Sequence, residues 1–157
     1  MTDRMAVLVK AIKGNVDAAN FLNGVIGVLH VWDDLIDKDT NLSDLEINQA
    51  FWYLFVGLPR EPFYKQNFDL LNPILMVAIQ NWFAANVMER GDDQADKRIA
   101  FILRSSYVDL ITQSALIVGG LEWSVQVAPD IRRFAHAEGY GNYLINLQDE
   151  KDKRGQR

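Results

Sequence analysis

One stretch of this chain, VDAANFLNGVIGVLHVWDDLID at residues 16–37, repeats apolar side chains with the spacing of an α-helix. Steps of three or four residues place side chains on one helix face. The stretch therefore predicts a long amphipathic helix that packs through that face. The positions on the face are Phe21, Val25, Val28, Trp32 and Leu35.

The same period recurs along the rest of the chain, and no useful length alternates with period two. Ser43 and Glu46 have the spacing of a capping box at the start of the second helix, and Gly57, Pro59 and Pro62 end it. The sequence predicts an all-α fold, a compact single-domain bundle of five or six helices over residues 1–157, with 151–157 as a frayed tail. The predicted helices cover residues 16–37, 43–56, 68–90, 92–117, 122–137 and 140–153.

The composition excludes several classes of function. The chain has 157 residues, 49% of them hydrophobic, no cysteine and a formal net charge of −5. Without cysteine there is no disulfide, thiolate zinc site or cysteine nucleophile. The scattered basic residues indicate no nucleic-acid partner, and no apolar run reaches the ~18 residues of a membrane span. With no signal-peptide pattern at the start, the expectation is a soluble, cytoplasmic protein without a membrane partner.

Four polar residues near the end of the first helix form a pattern that helix packing does not require. His30, Asp34 and Asp37 project within a narrow wedge, with Asp33 at its edge. Carboxylates at a helix C-terminus oppose the helix dipole and repel one another, each effect costing roughly 0.3–1 kcal/mol. A bound cation would remove that cost, so the pattern predicts a divalent-metal site; a solvated acidic helix end is the alternative.

Around this wedge the first helix is apolar, so we expect His30 to be at least partly buried. Gly24 and Gly27 leave room beside it, which suits close approach of a ligand or a second helix.

Further polar residues interrupt apolar stripes and are candidate site residues. Asp109 is a candidate general base, although an ion pair with Arg104, Arg132 or Arg133 would look the same. Asn81, a candidate substrate ligand, also fits an interhelical hydrogen bond. For His136 the sequence allows two interpretations, an anion-binding role or a surface position. The full set of substrate-binding candidates is Asn81, Arg104, Arg133 and His136.

The motif HVWDDLID, residues 30–37, resembles the first aspartate-rich motif of the isoprenyl diphosphate synthase and terpene synthase superfamily. There, a D-D-x-x-D helix holds magnesium and a substrate diphosphate. Residues 142–152 are loosely similar to the second metal motif of those enzymes. The resemblance implies Asp33, Asp34 and Asp37 as ligands of Mg²⁺ or Mn²⁺. The texture of the chain is also similar to small uncharacterised proteins of tailed bacteriophages, which implies no activity.

Two hypotheses follow. The first is a magnesium-dependent enzyme acting on a phosphorylated or diphosphate-containing small molecule, with His30 or Asp109 as general base and Arg104 or Arg133 holding the phosphate. The second is a non-catalytic helical interaction or assembly protein, phage-encoded in one version, whose polar patches are structural. It predicts a partner or a homo-oligomer formed through aromatic faces that include Phe51, Trp52, Phe55 and Phe63.

Overall fold

The computed structural model describes residues 3–38 and 40–155 of the chain. Every regular element in these two ranges is helical, which confirms the all-α prediction. The helices are α1 (Asp3–Ala11), α2 (Val16–Asp37), α3 (Asp44–Trp52), α4 (Pro62–Gln66), α5 (Phe68–Glu89), α6 (Gln94–Leu103), α7 (Val108–Ala135) and α8 (Tyr140–Gly155). A π-helical turn, Tyr53–Gly57, and a 3-10 turn, Leu58–Arg60, join α3 to α4.

The helices are more numerous than the five or six predicted, because α1 was not predicted and one predicted helix is interrupted. The predicted helix over 92–117 is broken at residues 104–107, where three-residue turns replace the α-helical hydrogen bonds. Ser105 and Ser106 lie in this turn, and serine competes with the helix by bonding to nearby backbone. The stop predicted at Gly119 and Gly120 is confirmed, because Gly120 has non-helical backbone angles (φ 81°, ψ 177°) and α7 consists of two helical stretches that meet there in a kink. In the predicted frayed tail of residues 151–157, residues 151–155 are helical in α8 and residues 156–157 lie outside the described part of the chain.

Local capping explains why the predicted bounds of α2 and the predicted start of α3 are correct. The Asn15 side chain accepts a hydrogen bond from the Ala18 N–H at 2.9 Å and starts α2. Ser43 and Glu46 form the predicted capping box, with bonds of 2.8 and 3.3 Å. The Ser43 N–H and, at 2.7 Å, the Ser43 hydroxyl both donate to the Glu46 carboxylate and lower its pKa. Lys38, at φ 56°, ends α2 by donating its N–H to the Asp34 carbonyl.

Helix packing places the core around the first half of α2. Helix α1 packs on α7, α5 packs on α6 and α7, and α2 packs on α3 and α4. Trp123 of α7 donates its indole N–H to the Ala11 carbonyl at 2.8 Å, which joins α7 to the end of α1. Phe21 is fully buried against Phe63 and Tyr64, at ring-centroid distances of 6.0 and 5.3 Å. Phe63 is therefore a core residue and not part of an exposed aromatic face as predicted.

The glycine pair of α2 has two different roles. A side chain at Gly24 would meet the Tyr53 ring at 2.1 Å, and the Tyr53 hydroxyl donates to the Phe21 carbonyl at 3.3 Å. The predicted close approach at Gly24 is thus made by Tyr53, whose pKa is raised by burial and by Glu61. A side chain at Gly27 would meet nothing within 4 Å.

Gly24→Ala is expected to destabilise the protein by about 1–3 kcal/mol, because Tyr53 must leave its place. Gly27→Ala, the matched control, is expected to stabilise it by roughly 0.5–1 kcal/mol, because alanine is the better residue inside a helix. Urea unfolding of the two variants measures both values. Equal effects at the two positions would contradict the packing of Tyr53 on Gly24.

Two helical stretches of the described chain, Phe68–Glu89 and Gln94–Ala135, are long and apolar enough to cross a membrane by length and composition alone. The expectation concerned uninterrupted apolar runs and still holds, because polar residues interrupt both stretches; it is their mean hydropathy that meets the criterion. The finding is weak evidence for a span, because core helices of soluble proteins pass the same test. Within the apolar part of α5, however, only 22% is buried. Burial in the core therefore accounts for only a small part of the apolar side chains of α5.

Candidate functional site

Three carboxylates from two helices surround the guanidinium of Arg104. Its Nη2 lies 2.9 Å from Asp33 Oδ2 and 3.4 Å from Asp37 Oδ2, and its Nη1 lies 3.0 Å from Glu89 Oε2. Asp33 and Asp37 are one turn apart on α2, Glu89 ends α5, and Arg104 follows α6. We call these four residues the Arg104 cluster. Arg104 still has α-helical backbone and donates its N–H to the Ala100 carbonyl at 2.9 Å, so α6 determines where the arginine lies.

The Arg104 cluster is largely removed from solvent. The side chains of Asp37 and Glu89 are 5% and 3% exposed, whereas Asp33 is 32% exposed. Burial alone lowers the pKa of Arg104, but the attraction of Asp33, Glu89 and Asp37 outweighs it and raises the pKa above its ordinary value. One positive charge faces three carboxylates, so the cluster keeps a surplus of negative charge.

Two neutral donors complete the Arg104 cluster. Trp82 of α5 donates its indole N–H to Asp33 at 3.0 Å, and the Tyr143 hydroxyl of α8 donates to Glu89 at 2.9 Å. Burial, followed by the charge of Glu89 and its hydrogen bond, raises the pKa of Tyr143, so the phenol remains a donor. The cluster thereby links α2, α5, α8 and the end of α6. Sequence reasoning missed Glu89, although it follows Ala85 by four residues on the buried stripe of α5.

An acidic cleft of about 380 Å³ opens beside the Arg104 cluster. Asp33, Asp37 and Arg104 form one side, and the other comes from α8 and the residues before it, namely Glu138, Asn146, Asp149 and Glu150. The two segments that resemble the metal motifs therefore face a common space. A neighbouring cleft of about 710 Å³ shares Asp37 and carries the basic residues Lys38, Arg90, Lys97 and Lys151.

The predicted metal ligands have an arginine between them instead of a metal-ligand arrangement. Asp33 and Asp37 both bind Arg104, and Asp34, about 100° around the helix from Asp33, is half-buried. Among residues 3–38 and 40–155, no three His, Asp or Glu side chains form a group that could hold a metal ion. The cation that offsets the acidic end of α2 in this structure is a guanidinium.

Comparison with known proteins adds no assignment. No protein-family model, curated protein or solved structure matches this chain.

The other predicted site residues lie at several places in the structure. His30 is exposed, contrary to expectation, because Asn23, Gly27 and His30 form the solvent side of α2. It borders a cavity of about 220 Å³ together with Asp33, Arg104 and the ring of Tyr107, which it meets edge-on at 6.4 Å.

Three of these residues have structural partners. Asp109 forms an ion pair with Arg132, which is the alternative foreseen for it. Asn81 donates to the Ser106 hydroxyl at 3.0 Å, the interhelical bond that was its alternative. Arg133 is 76% exposed and pairs with Asp130 at 3.1 Å. The two clefts described above that Asp33 lines do not include Asp109, Asn81 or Arg133.

His136 lies in an aromatic group beside the Arg104 cluster. Phe101 contacts His136 and Tyr143 at ring-centroid distances of 5.0 and 5.1 Å, and Tyr140 at 5.5 Å. Burial, with a smaller effect of Arg132, lowers the pKa of His136. Its Nδ1 atom has no hydrogen-bond partner within the described part of the chain.

The lowered pKa of His136 predicts a loss of stability in acid. In the unfolded chain the imidazole takes up its proton near pH 6.5, whereas the folded protein takes it up at lower pH. Stability therefore falls as the pH drops below about 6.5 towards the folded value. His136→Leu is expected to reduce this slope, measured as the urea midpoint at a series of pH values from 8 to 5. Identical pH profiles for the parent and the variant would contradict the prediction.

A separate feature of the structure is an apolar groove of about 310 Å³ between α2 and α3. Its walls carry no charged side chain. At one end Trp32 contacts Phe83 of α5 at 5.8 Å, and at the other Phe51 stacks on Phe55 at 6.2 Å. We call this the α2–α3 groove; its residues are Val28, Val31, Trp32, Leu35, Ala50, Phe51 and Leu54.

Large apolar side chains around the α2–α3 groove face solvent. Phe55 is 76% exposed, Val87 73% and Trp52 68%. With aromatic side chains of 150–250 Å² each, the exposed apolar area is on the order of 800 Å². The largest patch on a typical monomer is about 300–600 Å². We call this surface the apolar face: Leu35, Phe51, Trp52, Leu54, Phe55, Phe83 and Val87, together with the groove.

Proposed function

We propose that this chain is a non-catalytic helical protein that acts by binding another macromolecule through the apolar face. The observation that carries the proposal is the size of that face. Summed over its side chains, the exposed apolar area is on the order of 800 Å², comparable with the ~800 Å² of total surface that each partner buries in a standard protein interface. Phe51, Trp52 and Phe55 are also of the residue type that contributes most to such interfaces.

The charge distribution supports the same proposal. The charged groups of the Arg104 cluster pair with one another inside the fold, and these ion pairs connect helices. Asp109 and Arg133 are paired elsewhere. The apolar face itself lacks charged side chains, which is typical of the centre of an interface.

Site-specific photo-cross-linking tests the proposal. A photoreactive amino acid replaces Phe55 at the apolar face in one protein and Gln148, exposed on α8, in the control. In cells that produce the chain, we expect position 55 to form discrete adducts of defined mass. We expect that position 148 forms none of the same adducts. The absence of any adduct specific to position 55 would contradict the proposal.

A second candidate function is magnesium-dependent chemistry on a phosphorylated or diphosphate-containing small molecule. The observation that favours it is the acidic cleft, in which Asp33 and Asp37 face Asp149 and Glu150. Mg²⁺ binds through carboxylates and keeps water ligands. In the adjoining cleft, which also contains Glu89 and Asp92, the basic side chains of Lys38, Arg90 and Lys97 would suit phosphate oxygens. For this function Mg²⁺ would have to compete with Arg104 for Asp33 and Asp37.

Metal addition separates the two candidates. If the second candidate applies, Mg²⁺ added after EDTA raises the melting temperature. At a free Mg²⁺ concentration of 100 times Kd, the free energy of unfolding increases by about 2.7 kcal/mol. Asp149→Asn, at the cleft, then abolishes the rise, whereas Asp152→Asn, outside the cleft residues, retains it. No shift with Mg²⁺ or Mn²⁺ in the parent protein would overturn the second candidate and leave the first unaffected.

A further inference from the structure

We infer that the apolar face binds a second copy of this chain, with Phe55 of each copy seated in the α2–α3 groove of the other. This inference rests on the proposed function and names its partner. A two-fold interface requires that one surface be complementary to itself. The apolar face has that property, because an exposed aromatic side chain and an apolar groove lie next to each other on it.

The dimensions fit a pair of copies. An exposed apolar area on the order of 800 Å² per copy gives about 1,600 Å² when two faces meet, the size of a standard stable interface. A groove of about 310 Å³ has room for an aromatic ring from the partner. Phe55 reaches outward beside it from the π-helical turn, and Phe51 forms one of its walls.

Charge favours a second copy over a membrane surface. The chain carries a net charge of −5, which opposes binding to anionic lipid headgroups. Two copies of an acidic protein also repel each other, but the residues of the apolar face are uncharged, so no like charges meet at its centre. A groove with a neighbouring knob matches a shaped protein surface better than the plane of a bilayer.

The absence of cysteine makes the arrangement directly testable. One tagged copy carries Phe55→Cys and a second, with another tag, carries Leu35→Cys in the groove wall. Under mild oxidation we expect a disulfide between the two tagged copies. The control pairs Phe55→Cys with Gln148→Cys and is expected to remain uncrosslinked.

The mass of the full chain provides the second readout. Light scattering after size exclusion is expected to give twice the chain mass, and Phe55→Asp to weaken association at least about 100-fold. Circular dichroism confirms that the variant is folded; if it is not, Phe55→Ser takes its place, because the position is largely exposed.

Each remaining outcome overturns the inference. A dimer that survives Phe55→Asp and shows no crosslink between positions 55 and 35 uses another surface. A monomer whose position 55 is photo-cross-linked to a different protein leaves the proposed function standing without the second copy. A monomer that binds phosphatidylcholine vesicles through Phe55 assigns the face to a membrane. A monomer with no adduct contradicts both the inference and the proposed function.

Discussion

Arg104→Met is expected to lower the free energy of unfolding by about 3–5 kcal/mol, the largest effect of any exchange of a charged residue in this chain. The substitution keeps most of the side-chain volume but leaves Asp37 and Glu89 buried without a cation. An uncompensated buried charge costs far more than an ion pair contributes, because desolvation is no longer offset by attraction. Urea unfolding at pH 7 measures the loss. Arg133→Met, which removes an exposed ion pair, is the control and is expected to change stability by less than about 1 kcal/mol.

Neutralising the carboxylates distinguishes charge from packing. In the Arg104→Met background, Asp33→Asn, Asp37→Asn and Glu89→Gln together are expected to restore part of the lost stability, since no bare charge then remains inside. Residues in one network do not behave additively, so the combined variant must be measured rather than summed. A loss for Arg104→Met no larger than that of Arg133→Met would show that the Arg104 cluster does not hold the helices together.

Phe21→Ala is expected to cost about 3–5 kcal/mol. Phe21 is fully buried, stacks on Tyr64 and packs against Phe63, so its removal leaves a cavity where α2 meets α4. Phe68→Ala is the matched control, because Phe68 contacts the same Tyr64 ring at 5.5 Å but is half exposed. The control is expected to lose less than half as much. Similar losses at the two positions would contradict the assignment of the core to this end of α2.

Phe21→Ala also provides a reference that distinguishes damage to the core from loss of a dimer interface. The effect of Phe21→Ala arises within one chain, so it should not depend on protein concentration. Loss of a second copy lowers stability in a concentration-dependent manner. Repeating the unfolding at a 100-fold range of concentration therefore separates core damage from interface damage.

The candidate site was predictable only in part. Asp33 and Asp37 were identified because acidic residues four apart at a helix end are unfavourable without a partner. The interpretation as metal ligands did not anticipate Arg104, which is 67 residues from Asp37 along the chain. Glu89 was overlooked because a single acid at the end of an apolar helix is also what a solvated terminus looks like. Asp109 forms an ion pair with Arg132 and Asn81 donates a hydrogen bond to Ser106, which are the kinds of structural contact that the sequence left open for them.

Local rules account for what the amino-acid sequence specifies unaided: the all-α class, the bounds of α2, and the capping box at Ser43. Each depends on hydrogen bonds and side-chain period within a few residues. The packing of the helices accounts for the rest. It puts Tyr53 on Gly24, brings Arg104 between Asp33 and Glu89, and leaves Phe55 beside an open groove. These contacts join residues distant in the chain, and their partners depend on the direction that each turn gives to the next helix.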